Sequence, residues 1–322
     1  PSCRALVEPP PLAAALVMVT GRFDRSVSMV AWAYNEEALI SGFLERALAA
    51  LDDAVGDYEL ILVDDGSTDR TNEIAQTLAR RNPRLRVVTN ERNMNIGPSF
   101  KRAVAAARKE FVFWQTVDWS YDLSHLRLFL ELLKHFDVVV GVRPVPIRLL
   151  SYIPVIRSIY RVRTRSDNLR KAIVSLGNYY LIRILYKMDF HDFQNIQFYP
   201  TALAQSFSLE GESSFLAPEM LARAMARGCR FLEVPIHFIP RSGGEAKGTK
   251  LRSIVRSVRD IWRNWVRWGW RFRLSRRGRA PGQICRVSEP FFLEEDVLRL
   301  VIPLFKSFRS RAAPTATPSP TL

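Results

Sequence analysis

Residues Leu60-Ile-Leu-Val-Asp-Asp-Gly-Ser-Thr-Asp-Arg-Thr71 constrain this chain more than any other stretch. An apolar run stops at two carboxylates, a glycine and a hydroxyl-rich turn, and a helical pattern follows. A parallel strand delivers polar groups to the carboxyl edge of an open α/β sheet in this way, and ligands bind at that edge. Upstream, Val27-Ser-Met-Val-Ala-Trp-Ala-Tyr-Asn-Glu-Glu37 repeats the plan. A capped strand–helix turn would also use Asp-Gly-Ser. Two such tips in order, both rich in acid, point instead to a polar, phosphorylated ligand, because a nucleotide base and ribose offer N–H and O–H donors that carboxylates accept.

Around these tips the pattern is regular. Apolar runs near 27–33, 58–64, 84–89, 111–116 and 137–142 alternate with helical segments near 36–53, 69–81, 97–109 and 123–135. That alternation predicts an α/β fold, a mostly parallel sheet flanked by helices. Ser67 and Thr68 are expected to cap the second helix, with Asp69 in or near its first turn. Farther on, the spacing predicts helices over 170–187 and 217–228, the latter with Gly228 as its C-cap. Strands are predicted over 192–199 and 230–236, and a long amphipathic helix over 250–272. The chain divides into an N-terminal tail (1–25), one α/β domain (26–249), a basic amphipathic helical segment (250–280) and a C-terminal extension (281–322). The Pro/Thr/Ser ending of that extension has the composition of disorder.

The net charge of +15 is concentrated. Residues 241–280 hold 13 Lys or Arg against Glu245 and Asp260, a local balance of +11. An anionic partner is expected for that segment: phospholipid, nucleic acid or a phosphorylated substrate. No nucleic-acid module is recognisable, which sets nucleic acid aside. The three cysteines are far apart and the four histidines scattered, so neither a metal-type cysteine pair nor a histidine cluster is expected, and reduced thiols in a cytoplasmic protein follow. The longest early apolar stretch, Leu12–Val19, is too short to span a bilayer.

The order and spacing of motifs resemble glycosyltransferase family 2 with the GT-A (Rossmann-like) fold. The resemblance rests on Tyr34-Asn-Glu-Glu37, Val63-Asp-Asp-Gly-Ser-Thr-Asp69, Asn95-Ile-Gly97, a strand carrying Asp118, and Val140-Gly-Val-Arg143. Pro218-Glu-Met-Leu221, Glu233-Val-Pro-Ile236 and Arg241-Ser-Gly-Gly-Glu-Ala-Lys247 resemble the polyprenyl-phosphate branch, typified by dolichyl-phosphate mannose synthase. The resemblance implies an inverting enzyme that moves a hexose from a nucleotide-sugar to a polyprenyl phosphate at the cytoplasmic face of a membrane, with which it associates peripherally. Tyr34, Glu36 and Asp65, with Asp64 beside them, would hold the nucleotide. Asp118 would hold Mg2+ or Mn2+. Arg143, Arg241 and Lys247 would face the phosphates, and Arg170, Lys171 and Ser175 would contact the acceptor phosphate.

The chain departs from the family at one place. Thr116 stands where the first acid of the Asp-x-Asp motif belongs, and Ser120 where a glutamine often assists the metal. A hydroxyl is a weaker ligand than a carboxylate for a hard cation. A looser site recruiting Asp122 or water, replacement of the metal by arginine, and a catalytically degenerate binding or scaffold subunit are all compatible with this change. A polyprenyl phosphate is already anionic at neutral pH and needs no protein base. A glycan or glycolipid hydroxyl would need one, for which Asp192 and Glu219 are the candidates. In the basic loop, Arg157, Arg161, Arg163 and Arg165 form either a phosphate- or headgroup-binding set or a solvated face. Along the last helix, Arg252, Arg256, Arg259, Arg263 and Arg267 fall on one stripe, with Ile254, Val258, Ile261, Trp265 and Trp268 opposite. This face suits an anionic membrane surface, and docking on the domain is the competing reading.

Overall fold

The computed structural model describes residues 21–142, 169–236, 239, 251–275 and 284–286, with the side chains of 169–176, 235, 251, 252 and 286 outside that set. Arg143, the basic loop, the side chains of Arg170, Lys171 and Ser175, the Arg241–Lys247 segment and both chain ends therefore lie outside the described residues. One compact unit, Arg22–Arg286, carries every feature below.

Its centre is a single eight-stranded sheet. The strands are β1 (Val27–Ala33), β2 (Tyr58–Asp64), β3 (Leu85–Thr89), β4 (Phe111–Trp114), β5 (Val138–Val142), β6 (Gln197–Pro200), β7 (Phe231–Pro235) and β8 (Ile284–Arg286), ordered β3-β2-β1-β4-β6-β5-β7-β8. All neighbours are parallel except β6, which runs antiparallel to β4 and β5. The central strands are near-continuous runs of Val, Ile and Leu, as strands covered by helices on both faces require. Around them lie α1 (Glu37–Ala54), α2 (Thr71–Arg81), α3 (Ile96–Ala106), α4 (Leu126–Leu132), α5 (Leu169–Tyr186), α6 (Thr201–Gln205), α7 (Leu216–Ala226), α8 (Leu251–Asn264) and α9 (Trp270–Ser275). Helix α1 shows the cause of its placement directly: Ile40, Phe43, Leu44, Ala47, Leu51 and Ala54 recur at helical spacing and all are buried.

Two expectations change. The strand predicted over 192–199 narrows to Gln197–Pro200. Asp192 and Asn195 accept hydrogen bonds from the N–H groups of Gln194 (3.2 Å) and Ile196 (2.7 Å), and these local turns displace the sheet ladder. The long last helix is broken by a π-helical turn, Trp265–Gly269, between α8 and α9. At that turn a Cβ on Gly269 would lie 2.6 Å from the Tyr186 ring, so the glycine lets α5 approach closely. Gly228 follows α7 at φ +74°, as its predicted capping role requires. Among the described residues, no helix is long and apolar enough to cross a membrane.

Candidate active site

Strand order reverses at β1, which has β2 on one side and β4 on the other. Crevices at such points are where open α/β sheets hold ligands. Three of the four described non-glycine residues with positive φ sit at or beside this edge: Asn35 (+49°), Asn95 (+68°) and Trp119 (+55°). Backbone held in this region is costly, and such residues cluster at functional sites.

The tips of β1 and β2 are laced together. Ala33 pairs with Asp64 in register, and the Asp65 N–H extends the ladder to Ala33 O at 2.8 Å. The Asn35 N–H donates to Ser67 Oγ (3.0 Å), Thr68 N–H donates to Asn35 Oδ1 (2.8 Å), and Glu36 N–H donates to Thr71 Oγ1 (2.8 Å). Ser67 and Thr68 thus do not cap α2 as expected, because their hydroxyls join the two tips instead. Asp69 is placed near that helix start, where it accepts from the Thr71 N–H and hydroxyl. Burial raises the Asp69 pKa, but the bonds from the Thr71 hydroxyl, the Thr71 N–H and the Glu37 N–H outweigh it and hold the carboxyl below its ordinary value.

Both acids of β2's tip are buried and satisfied. Asp64 accepts from Asn72 Nδ2 (2.7 Å) and Ser67 N–H (3.3 Å). Asp65 Oδ1 accepts from Ser99 Oγ (2.7 Å), Asn90 Nδ2 (2.9 Å) and Met94 N–H (2.9 Å), which fixes the β3–α3 connection against the tip. Gly66, at φ +69°, permits this, since a Cβ there would lie 2.4 Å from the Arg92 backbone. Asn90 and Ser99 escaped the sequence reading. Their signal is position, one directly after β3 and one in the first turn of α3. Tyr34 and Glu36 are partly exposed at the same edge.

The β4 tip is different. Gln115, fully buried, donates to Tyr121 O (2.7 Å) and accepts from Thr116 N–H (2.9 Å), closing a tight loop. Trp119 turns inward onto Phe43, with the Arg46 guanidinium 4.3 Å from its ring centre, while Asp118 stays partly exposed. Asp118 Oδ1 accepts from Ser120 Oγ at 2.6 Å, and Thr116 Oγ1 accepts from Ser120 N–H at 3.2 Å. Among the described residues no group of three or more His, Cys, Asp or Glu is placed to hold a metal ion. The donor set is one carboxylate and two hydroxyls. That set fits Mg2+ or Mn2+ only where substrate phosphates and water complete the coordination, which is how Mg2+ is commonly held.

The two candidate bases are engaged elsewhere. Glu219 is fully buried. It accepts from the N–H groups of Glu210 (3.0 Å) and Gly211 (2.7 Å) and pairs with Arg223 at 3.0 Å. Asp192, also buried, accepts from Gln194 N–H and Asn195 Nδ2.

Helix α8 packs on this unit through a residue the sequence reading passed over, the lone acid among its arginines. Asp260 is buried and accepts from Glu212 N–H (2.8 Å), Ser213 N–H (3.0 Å) and Ser213 Oγ (2.7 Å). Glu212 in turn lies against the first turn of α3, where a Cβ on Gly97 would fall 2.5 Å from Glu212 Cα. Ile261 is fully buried, Tyr186 donates its hydroxyl to Ile261 O at 2.9 Å, and Trp265 meets the Tyr186 ring edge-on while Trp268 packs against it at a tilt. This part of the predicted apolar face therefore meets the domain.

The chain is similar to known proteins in fold and in sequence. Glucosyl-3-phosphoglycerate synthase from Mycobacterium tuberculosis, solved with Mn2+, uridine diphosphate and glucosyl-3-phosphoglycerate, is similar in fold at a TM-score of 0.50 and 17% identity, over 80% of this chain and 86% of that one. The architecture is GT-A, an α/β sheet flanked by helices. Glycosyltransferase AglD from Haloferax volcanii is 27% identical over 259 residues, 78% of this chain and 39% of that protein. Dodecaprenyl-phosphate galacturonate synthase from Rhizobium johnstonii is 26% identical over 227 residues, 69% of this chain and 61% of that protein. The chain thus spans less than two thirds of these curated relatives' length. The family model for glycosyl transferase family 2 matches residues 28–192, about half of the chain and the part that builds the strand tips above, and the chain is a glycosyltransferase of that family.

Proposed function

We propose that the protein is an inverting transferase that moves a hexose from a nucleotide-sugar to a polyprenyl phosphate at a membrane surface. The single observation that carries the donor half is the lacing of the β1 and β2 tips, which presents Tyr34 and Glu36 beside Asp64 and Asp65 at the point where strand order reverses. The acceptor half is supported by the fate of Asp192 and Glu219. Both are buried and hydrogen-bonded within the protein, so neither is presented as the base that a sugar hydroxyl would require. The name of the Rhizobium johnstonii relative points to the same acceptor class.

In this reading the acceptor phosphate oxygen attacks the anomeric carbon as the bond to the nucleoside diphosphate breaks, and one displacement inverts that carbon. Tyr34, Glu36 and Asp65 hold the nucleotide. Asp118 is the side chain that would hold Mg2+ or Mn2+, which when bound neutralises charge on the diphosphate. Arg143, Arg241 and Lys247 would stabilise the same developing charge from a preorganised position, and Arg170, Lys171 and Ser175 would receive the acceptor phosphate. A second reading, a binding subunit that has lost turnover, is favoured by one feature, the hydroxyls of Thr116 and Ser120 at the β4 tip.

A transfer panel separates these readings. Sugar nucleotides are offered with polyprenyl phosphate or with glycan and glycolipid hydroxyl acceptors, with and without divalent metal. Transfer to the lipid phosphate with inverted anomeric configuration is expected. Transfer only to hydroxyls would overturn the acceptor, and tight nucleotide binding without turnover would favour the binding subunit.

A further inference from the structure

The docking of α8 through Ile261, Trp265 and Trp268 leaves a second apolar face. Val255, Val258, Trp262, Val266, Trp270 and Leu274 form an outward stripe along α8, the π-helical turn and α9, and all are exposed. Tyr180 and Ile184 are exposed on α5, which packs beside that helix. The other exposed large hydrophobics among the described residues, Met94 and Ile96, flank Asn95, whose side chain accepts a hydrogen bond from Arg256 of α8. Exposed apolar side chains scattered singly need no explanation, but here every one belongs to this helical layer or to the loop it touches.

The charge around the stripe identifies what covers it. Arg256, Arg259, Arg271 and Arg273 are exposed on the same helix, as is Arg267, whose guanidinium pairs with Glu210 at 3.3 Å. Its only acid, Asp260, is turned into the protein. The outward surface of residues 253–275 thus combines tryptophans, aliphatic side chains and arginines without a carboxylate. That combination matches a layer of anionic headgroups over acyl chains, where arginines meet phosphate and indoles settle at the boundary. We propose that this stripe seats the protein on an anionic lipid surface, lying in the interface rather than crossing it. The inference deepens the acceptor reading above and rests on it for its purpose. Arg256 joins α8 to the loop whose Met94 N–H donates to Asp65, so the seated helix holds the donor edge beside the surface from which a lipid phosphate is presented.

The test uses the full chain and vesicles of phosphatidylcholine with or without phosphatidylglycerol, read by sedimentation at low and high salt. Binding is expected to need phosphatidylglycerol and to weaken with salt. Trp262→Glu combined with Trp270→Glu is expected to weaken binding roughly tenfold or more, with thermal unfolding and binding of UDP or GDP unchanged. Arg259→Ala, at an exposed position, should flatten the salt dependence with the fold intact. Failure of the wild-type protein to bind phosphatidylglycerol vesicles, or equal binding by the double variant, overturns the proposal. Self-association that the double variant abolishes, without vesicle binding, overturns it in favour of a second copy of the chain. If no polyprenyl phosphate is glycosylated while vesicle binding follows the stripe, the acceptor reading fails and the lipid surface stands.

Discussion

The tips of β2 and β4 flank β1 from opposite sides, and they are built in opposite ways. At β2, two buried carboxylates gather donors from across the sequence: Asn72 on α2, Asn90 after β3, the Met94 N–H and Ser99 on α3. At β4 the bonds among the candidate metal-site side chains are local, while the longer reaches come from its backbone and from Tyr121: the Ile239 N–H donates to Ser120 O (2.9 Å) and the Tyr121 hydroxyl to Gln194 O (3.1 Å). Ser120 bonds both Thr116 and Asp118 within four residues, around a tryptophan turned into the core. Long-range bonds fix the β2 tip with the fold itself, so the proposed nucleotide end is preorganised. The β4 tip offers Asp118 on a short loop, and in the proposed reaction its chemistry would depend on what a bound diphosphate adds.

The sharpest way to break this contrast is to remove one acid from each tip. Asp65→Ala removes the carboxylate that accepts from the buried Ser99 hydroxyl and Asn90 amide and from the Met94 N–H. It should lower unfolding free energy by about 3 kcal/mol and weaken binding of a nucleoside diphosphate such as UDP or GDP, measured by denaturant titration and calorimetry. Wild-type stability would show that the β2 network does not organise the site. Asp118→Asn should do the reverse. Turnover should fall roughly 100-fold, about 2.7 kcal/mol on the barrier, with the unfolding midpoint near wild type. An unchanged rate with chelator present would remove the metal from the mechanism. The smallest effect is expected at Asp69. Its carboxyl is held below its ordinary value, so the stability it contributes is present above pH 3.8 and is lost as pH falls through the lower, folded-state value. Asp69→Asn should therefore make the acid limb of the stability–pH curve shallower, and an unchanged limb would assign the lacing of the tips to the hydroxyls alone.

Much of this fold is legible in the sequence because its signals are local. The strands at 27–33 and 58–64 fall where their buried runs end in acid, and α1 follows its apolar stripe. The tips themselves are legible because Asp-Asp-Gly-Ser and Asn-Glu-Glu interrupt those runs abruptly. What is not legible depends on partners distant in sequence. That Ser67 would bond the Asn35 N–H rather than cap α2 follows from the register of β1 against β2. That Asn90 and Ser99 converge on Asp65 follows from the path of the β3–α3 loop. The last helix is the clearest case. Helical periodicity finds one apolar face opposite the arginines, yet the folded helix has two. Ile261 and Trp268 turn toward Tyr186, and Val258 joins Trp262 on the outside, a division set by Asp260 and its bonds to Glu212 and Ser213.

The π-helical turn at Trp265–Gly269 acts on this helix as a phase corrector. In a regular α-helix each four-residue step advances about 40° around the axis, so three steps from Trp262 through Val266 and Trp270 to Leu274 would drift by about 120°. That is enough to carry the last side chain off the face of the first. The wider turn takes up an extra residue and cancels the drift, so positions four apart stay aligned while Phe272 still reaches the interior. Two faces must therefore keep time with one another along a single helix, and the length of the segment between Asn264 and Trp270 is fixed by that demand rather than by any side chain within it. Deleting a single residue there would rotate everything beyond it by about 100°, leaving a more regular helix that can satisfy one face and not both.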